Sequence, residues 1–347
     1  MEESNLPNLV GHEHWQTLLA EFRPRIEGAP SRRVFSRLVN DLFEATGQSH
    51  LLYYTSDDWS YWHILSTFGS DDEDTRVEHV GLFTEEIESR WFVRGVLEGS
   101  PASAQDIRVG DEIISVDGVP FEPIVSFRGK AGRPIRLRLR RKPELIYNFL
   151  VTPVKESLHK AVQRAIRESI HIIEEDGNRY AYLHAWTFLG SGSEYRELVR
   201  LQDEVDGLLW DLRDGFGGMA GRGNRFLFGS PDSDWGWHKP VVILTDDGTR
   251  SAKEMLVDVA KRRNRATLVG VPTPGHVTTV GAFRRVGDDD LLILPGRRSR
   301  LEGHPTMPDV YVERPIPYSA GKDPQLSVAK QVLRKLVEVN DPMPAFR

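Results

Sequence analysis

The chain has 347 residues, with 45 Lys and Arg against 51 Asp and Glu and a formal net charge of −6; so small an acidic excess gives no electrostatic reason to expect a nucleic-acid partner. Hydrophobic residues make up 39% and charged residues 28%, with no low-complexity tract, which sets disorder aside and leaves room for two or three domains. Cysteine is absent, which excludes disulfides, a thiol nucleophile and thiolate metal sites without fixing the compartment.

The opening MEESNLPNLVGHEHW is acidic and lacks a continuous apolar run, unlike a signal peptide or lipid anchor. No window approaches the roughly 20 apolar residues of a membrane span, and the mean hydropathy is −0.41. A cytoplasmic protein with no membrane partner is the expectation. Residues 13 to 47 carry helical periodicity through Trp15, Leu18, Leu19 and Phe22, then Phe35, Leu38, Val39, Leu42 and Phe43, with Pro24 and Pro30 marking the break. Gly47 ends this region. Ser49, His50 and the strand-like run Leu51, Leu52, Tyr53, Tyr54 follow, and Asp71, Asp72, Glu73 and Asp74 read as a solvated linker.

From Val77 to about Val154 short strands alternate with glycine turns, the pattern of a small β module. Residues 155 to 176 predict a helix striped by Leu158, Val162, Ile166 and Ile170 and stopped at Gly177. Strand and helix patterns then alternate: RYAYLHAWTF, SEYRELVRLQDEV, GLLWDLR, PVVILT, a helix from about Ser251 to Lys261, and ATLVGV. Such an order implies a largely parallel sheet covered by helices. Residues 222–239 interrupt it with Phe226, Phe228, Trp235 and Trp237, either a loop covering the core or an oligomer contact, or a flap over a peptide cleft.

In PVVILTDDGTRSAKEMLVDVAK a buried strand feeds a tight turn, and Ser251 opens a helix whose Met255, Leu256, Val259 and Ala260 are expected to face inward. A hydroxyl there meets free amides and the positive end of the helix dipole, which suits either a helix cap or a nucleophile whose attack creates an oxyanion. Glycines 215, 217 and 218 let backbone approach such an oxyanion closely, or form only a flexible turn. Eleven histidines include no HExxH pair, so a metal site is not expected, and no cofactor is implied.

The run TRSAKEML…RATLVGVPTPG resembles the nucleophile segment of the tail-processing and tricorn peptidases, in which the reactive Ser stands three residues before a Glu. GLLWDLRDGFGG is similar to that family's oxyanion loop, with Gly215 and Phe216 where the family has Asn and Pro. RLEGHPTMPDVYVE and SAGKDPQLSVAKQVL resemble its closing motif and last helix. The resemblance implies Ser251 as nucleophile and the amides of Gly217 and Ala252 as oxyanion hole. Tail-processing members place a Lys base 25 residues after the Ser, where this chain has His276. ATGQSHLLYY instead resembles the Ser-His pair of tricorn-type members, which implies His50 as base, Ser49 as its partner and Glu302 as the carboxylate, with His276 the alternative base.

Residues 77 to 154 resemble a PDZ domain, in which the amides of Gly81, Leu82 and Phe83 would cap the carboxylate of a peptide added as a strand; the module could equally brace the core. The implied fold is α/β, with a helical region at 1–73 carrying the Ser-His pair, a PDZ module at 74–154 and a crotonase/ClpP-like layered peptidase core at 155–347. The implied activity is a serine endopeptidase acting on unfolded protein or oligopeptides. A catalytically silent peptide binder and a small-ester or amide hydrolase are the alternatives, and a homo-oligomer stays open.

Overall fold

The structure, a computed structural model, describes residues 10–69, 75–229, 235–287 and 289–340; the acidic run at 71–74 lies outside them. Helix α1 (His12–Glu27) buries Trp15, Leu18 and Phe22 on one face. Pro24 lies within it, contrary to the expected break, because a proline near a helix end forfeits one internal bond without stopping the last turn. Ser31 caps α2 (Arg32–Ala45), its hydroxyl accepting from the Val34 amide at 3.3 Å. Val39, Leu42 and Phe43 of α2 pack with the apolar face of α1 and with Tyr53 of β1 (Leu52–Thr55). Helix α3 (Trp59–Phe68), which the sequence reading did not mark, follows directly.

Strands β2 (Arg76–His79), β3 (Leu82–Ile87), β4 (Arg90–Val96), β5 (Glu112–Val116), β6 (Val119–Pro120), β7 (Ile135–Lys142) and β8 (Leu145–Val151) build the expected β module. Its sheet runs β3-β4-β5-β7-β8, with β6 attached to β5, so β3 is an edge. In β7, Ile135, Leu137 and Leu139 are buried between outward arginines, the alternation of a strand with one covered face. Strand β9 (Val154–Ser157) pairs with β2 and fastens the module where the chain enters and leaves it.

Helix α4 (Leu158–Glu168) stops well short of the helix expected to reach 176. Residues beyond it form β10 (His171–Glu175), antiparallel to β11 (Asn178–His184). Asp176 and Gly177 between them both have positive φ, and an Asp-Gly hairpin turn with two β-branched isoleucines outweighs the helical stripe. The remaining elements are α5 (Ser193–Leu201), β12 (Gly207–Asp211), α6 (Gly221–Phe228), β13 (Val241–Thr245), α7 (Ala252–Arg262), β14 (Thr267–Gly270), β15 (Val280–Val286), β16 (Asp290–Pro295), β17 (Val310–Tyr311) and α8 (Pro324–Asn340). Residues 222–239 are therefore not a plain loop, since α6 occupies their first part and fully buries Phe226, with Trp237 beside it.

The central sheet runs β10-β11-β12-β13-β14-β17 and is parallel from β11 onward. Both faces are covered: Leu208, Trp210, Val241 and Ile243 face α7, whereas Leu209, Val242 and Leu244 face Leu333 and Ala329 of α8. That is why these strands read as continuous apolar runs. A second sheet, β1-β16-β15, joins opposite ends of the chain, with Leu52 opposite Ile293 and Tyr54 opposite Leu291. It carries Ser49 and His50 to the segment that follows β16.

Candidate active site

Strand β13 delivers the chain into the turn 246–250. The Thr249 hydroxyl donates to the Leu212 carbonyl at 3.0 Å and accepts from the Asp246 amide at 2.9 Å, which fixes the turn to the end of β12. Ser251 then adopts φ 60 and ψ −123, rare for a residue with a side chain, and its hydroxyl makes no capping bond to α7. A cap is thus not its role here; a strained backbone at a helix start is what presents a hydroxyl outward. The Ser251 amide donates to the His276 carbonyl at 2.8 Å. Glu254 fixes that carbonyl by accepting from the Gly275 and His276 amides, each at 2.7 Å. Sequence reasoning used Glu254 only to locate Ser251 and missed this scaffolding role. It also placed Met255 inward, but that side chain is exposed, while Lys253 is fully buried.

The glycine loop lies against Ser251. A Cβ on Gly217 would fall 2.6 Å from Ser251 Cβ and 3.0 Å from its Oγ, so only glycine leaves the hydroxyl in place. Gly215, at φ +69, presses instead on Trp186, whose carbonyl oxygen would sit 2.2 Å from an added Cβ. The loop continues the β11–β12 pairing: Phe216 donates to the Trp186 carbonyl at 2.7 Å, and the Gly217 carbonyl accepts from Phe188 at 2.8 Å. Lys253 Nζ donates to the Asp214 carbonyl at 2.7 Å. Of the glycines at 215, 217 and 218, Gly217 is therefore the one set against the Ser251 side chain.

Glu302, almost completely buried, accepts from the amides of Ser49 at 3.2 Å, Val277 at 2.8 Å and Thr278 at 2.7 Å. Burial pushes its carboxyl up, but hydrogen bonding from Ser49, Val277 and Thr278 outweighs that and holds it below its usual range. Ser49 Oγ is hydrogen bonded to His50 Nδ1 at 2.9 Å. In the tautomer that carries its proton on Nδ1, His50 donates to Ser49 Oγ. That tautomer leaves Nε2 with a free lone pair. Burial first, then Arg250 and His276, lower His50 to about 4, while Glu302 opposes them. Arg250 precedes Ser251, and His276 supplies the carbonyl that receives the Ser251 amide, so the charges that act on the His50 imidazole border Ser251 in the structure. His276 itself is exposed, and no hydrogen bond fixes its ring among the described residues.

At the β module, Gly81 has φ +86 and lies against Ser100, with its carbonyl accepting from the Leu97 amide at 2.8 Å. Leu82 is in the module's own core. Phe83 turns toward the core of the central sheet, stacked on Trp59 at 5.0 Å and Trp186 at 4.9 Å.

Residues 220–300 match the family described as Peptidase family S41, and residues 70–128 match the PDZ domain. Tricorn protease homolog 2 of Streptomyces coelicolor is 23% identical over 97% of this chain and 31% of its own length. The chain is similar in sequence to tricorn protease homologs and to carboxyl-terminal-processing proteases. A carboxyl-terminal-processing protease of Synechocystis is 25% identical over 63% of this chain and 58% of its own. The chain spans less than a third of the length of the Streptomyces protein. In fold it is similar to mature CPAF, with a TM-score of 0.50 at 11% identity, covering 94% of this chain and 93% of that one. Among the described residues no helix is long and apolar enough to cross a membrane, and no cluster of His, Asp or Glu is arranged to hold a metal ion.

Proposed function

We propose that this chain is a serine endopeptidase that cleaves unfolded protein segments or oligopeptides through an ester on Ser251. In this reading residues 1–73 supply the base, 74–154 dock peptide along the β3 edge at Gly81, Leu82 and Phe83, and 155–347 form a crotonase/ClpP-like layered core bearing the nucleophile. Ser251 Oγ attacks the scissile carbonyl carbon while His50 Nε2 takes its proton. The amides of Gly217 and Ala252 donate to the oxyanion that results. Collapse breaks the C–N bond, and His50 returns the proton to the departing amine. Water then attacks the ester, giving its proton to His50, and the released acid leaves Ser251 protonated again.

The observation that carries the reading is the meeting of Glu302, Ser49 and His50 from opposite ends of the chain: Glu302 accepts from the Ser49 amide at 3.2 Å, and Ser49 Oγ pairs with His50 Nδ1 at 2.9 Å, which leaves Nε2 to act as the base. A buried carboxylate at the far end also stabilises the imidazolium that forms during attack.

An active-site-directed fluorophosphonate tests it. Labelling is expected on Ser251 of the natural chain, absent from Ser251→Ala, lost in His50→Ala and retained in His276→Ala. Retention in His50→Ala with loss in His276→Ala would move the base to His276. No labelling together with no cleavage of any peptide would overturn the enzyme and leave a peptide-binding relative. Turnover of small esters without peptide cleavage would leave a simple hydrolase.

A further inference from the structure

The loop beside Ser251 carries Gly215 and Phe216 in succession, neither of which fixes φ as a proline would. A proline fixes φ, whereas a Gly-Phe pair leaves the backbone free to swing. Hydrogen bonds hold one side of the loop, with the Gly217 carbonyl accepting from the Phe188 amide at 2.8 Å and the Thr187 hydroxyl at 3.0 Å, and the ring of Phe216 is where side-chain packing adds to them. It lies face to face with the imidazole of His63 on α3, with centroids 3.7 Å apart and planes within 7°. Phe83 of the β module meets it edge-on, at 5.8 Å and 62°. The Phe216 amide is tied to the Trp186 carbonyl, so ring and backbone are held together.

His63 is otherwise hard to account for. It is 2% exposed, and neither ring nitrogen has a hydrogen-bond partner among the described residues. Burying an imidazole without a partner destabilises the fold relative to an apolar ring, so stability alone does not explain its place. Burial, with His159 6.0 Å away, holds it neutral down to about 3, so it is an uncharged flat ring that stacks on Phe216.

We propose that Phe216 is a positioning residue, seated between His63 and Phe83, and that this seat aims the Gly217 amide at the oxyanion formed on Ser251 attack. The inference rests on the peptidase reading. Removing the seat leaves peptide binding intact and slows acylation.

The test compares the rate of fluorophosphonate labelling at Ser251, and kcat against KM for a peptide substrate, in the natural chain, His63→Ala, His63→Phe and Phe216→Leu. His63→Ala and Phe216→Leu are expected to slow labelling about tenfold to a hundredfold, through kcat and with KM nearly unchanged, the penalty of a displaced donor. His63→Phe is expected to restore the rate to within about threefold while raising the thermal midpoint, because it keeps the stack and removes two unpaired nitrogens. A natural-like rate in folded Phe216→Leu, or a His63→Phe variant as slow as His63→Ala, would overturn the proposal. The peptidase reading fails separately: it falls only if the natural chain is itself unlabelled and inactive.

Discussion

Replacing Arg94 with Met should unfasten the β module from both loops that flank Ser251. The Arg94 guanidinium, from β4, bonds to Asp246 and Glu85, each at 3.0 Å, and to Asp214 and Asp247. Asp214 and Asp246 are almost completely buried, and they begin the glycine loop at 214–218 and the turn at 246–250 respectively. Arg94→Met leaves the two carboxylates to Arg314, 3.0 Å from Asp214, and to the nearby Lys253. Breaking a buried ion pair by removing one partner costs about 3–5 kcal/mol. The sign of its pH dependence follows from Asp246. Burial and the neighbouring Asp214 raise its carboxyl above the usual range even with Arg94 present. Between its unfolded and folded values the native state holds the extra proton, so stability falls as pH rises, and losing Arg94 extends that window upward. Urea denaturation should therefore show a larger deficit at about pH 8 than at about pH 5, with the slope against urea unchanged. A loss below about 1 kcal/mol, or one equal at both pH values, would refute the reasoning.

Glu302→Gln keeps the shape of the side chain but turns an amide group toward backbone donors that a carboxylate had satisfied. It should cost about 2–4 kcal/mol in a thermal melt and lower kcat/KM by about a hundredfold or more through a disoriented His50; unchanged kcat/KM would remove Glu302 from the relay. His50 lies below the ordinary imidazole value of 6.5, at about 4, so labelling at Ser251 should stay level as pH falls through 6.5 and decline only toward 4. Because the unfolded chain takes up the proton first, His50 also makes the fold less stable as pH drops across that same window. Circular dichroism run beside the labelling separates the two effects, and an acid limb centred on 6.5 in folded protein contradicts the assignment.

The amino-acid sequence alone determined what depends on near neighbours. Continuous apolar runs such as 241–245 marked strands buried on both faces, and alternation in 135–142 marked a strand covered on one. The glycine cluster at 215–218 and the Ser-x-x-Glu spacing at 251–254 marked backbone and helix geometry, because each is set by covalent spacing. Local pattern misled at 171–175, where a helical stripe was overridden by a hairpin turn and by pairing with β11. It also passed over the stack of His63 on Phe216 and the pairing of Arg94 with Asp214, each joining residues more than a hundred apart. Only the tertiary structure decided that β1 pairs with β16 and so brings Ser49 and His50 to Glu302, that Gly217 rather than Gly215 touches Ser251, and that Ser251 is uncapped at positive φ. Sequence spacing fixes distances of a few residues; contacts across two hundred depend on which apolar faces the whole chain can bury at once.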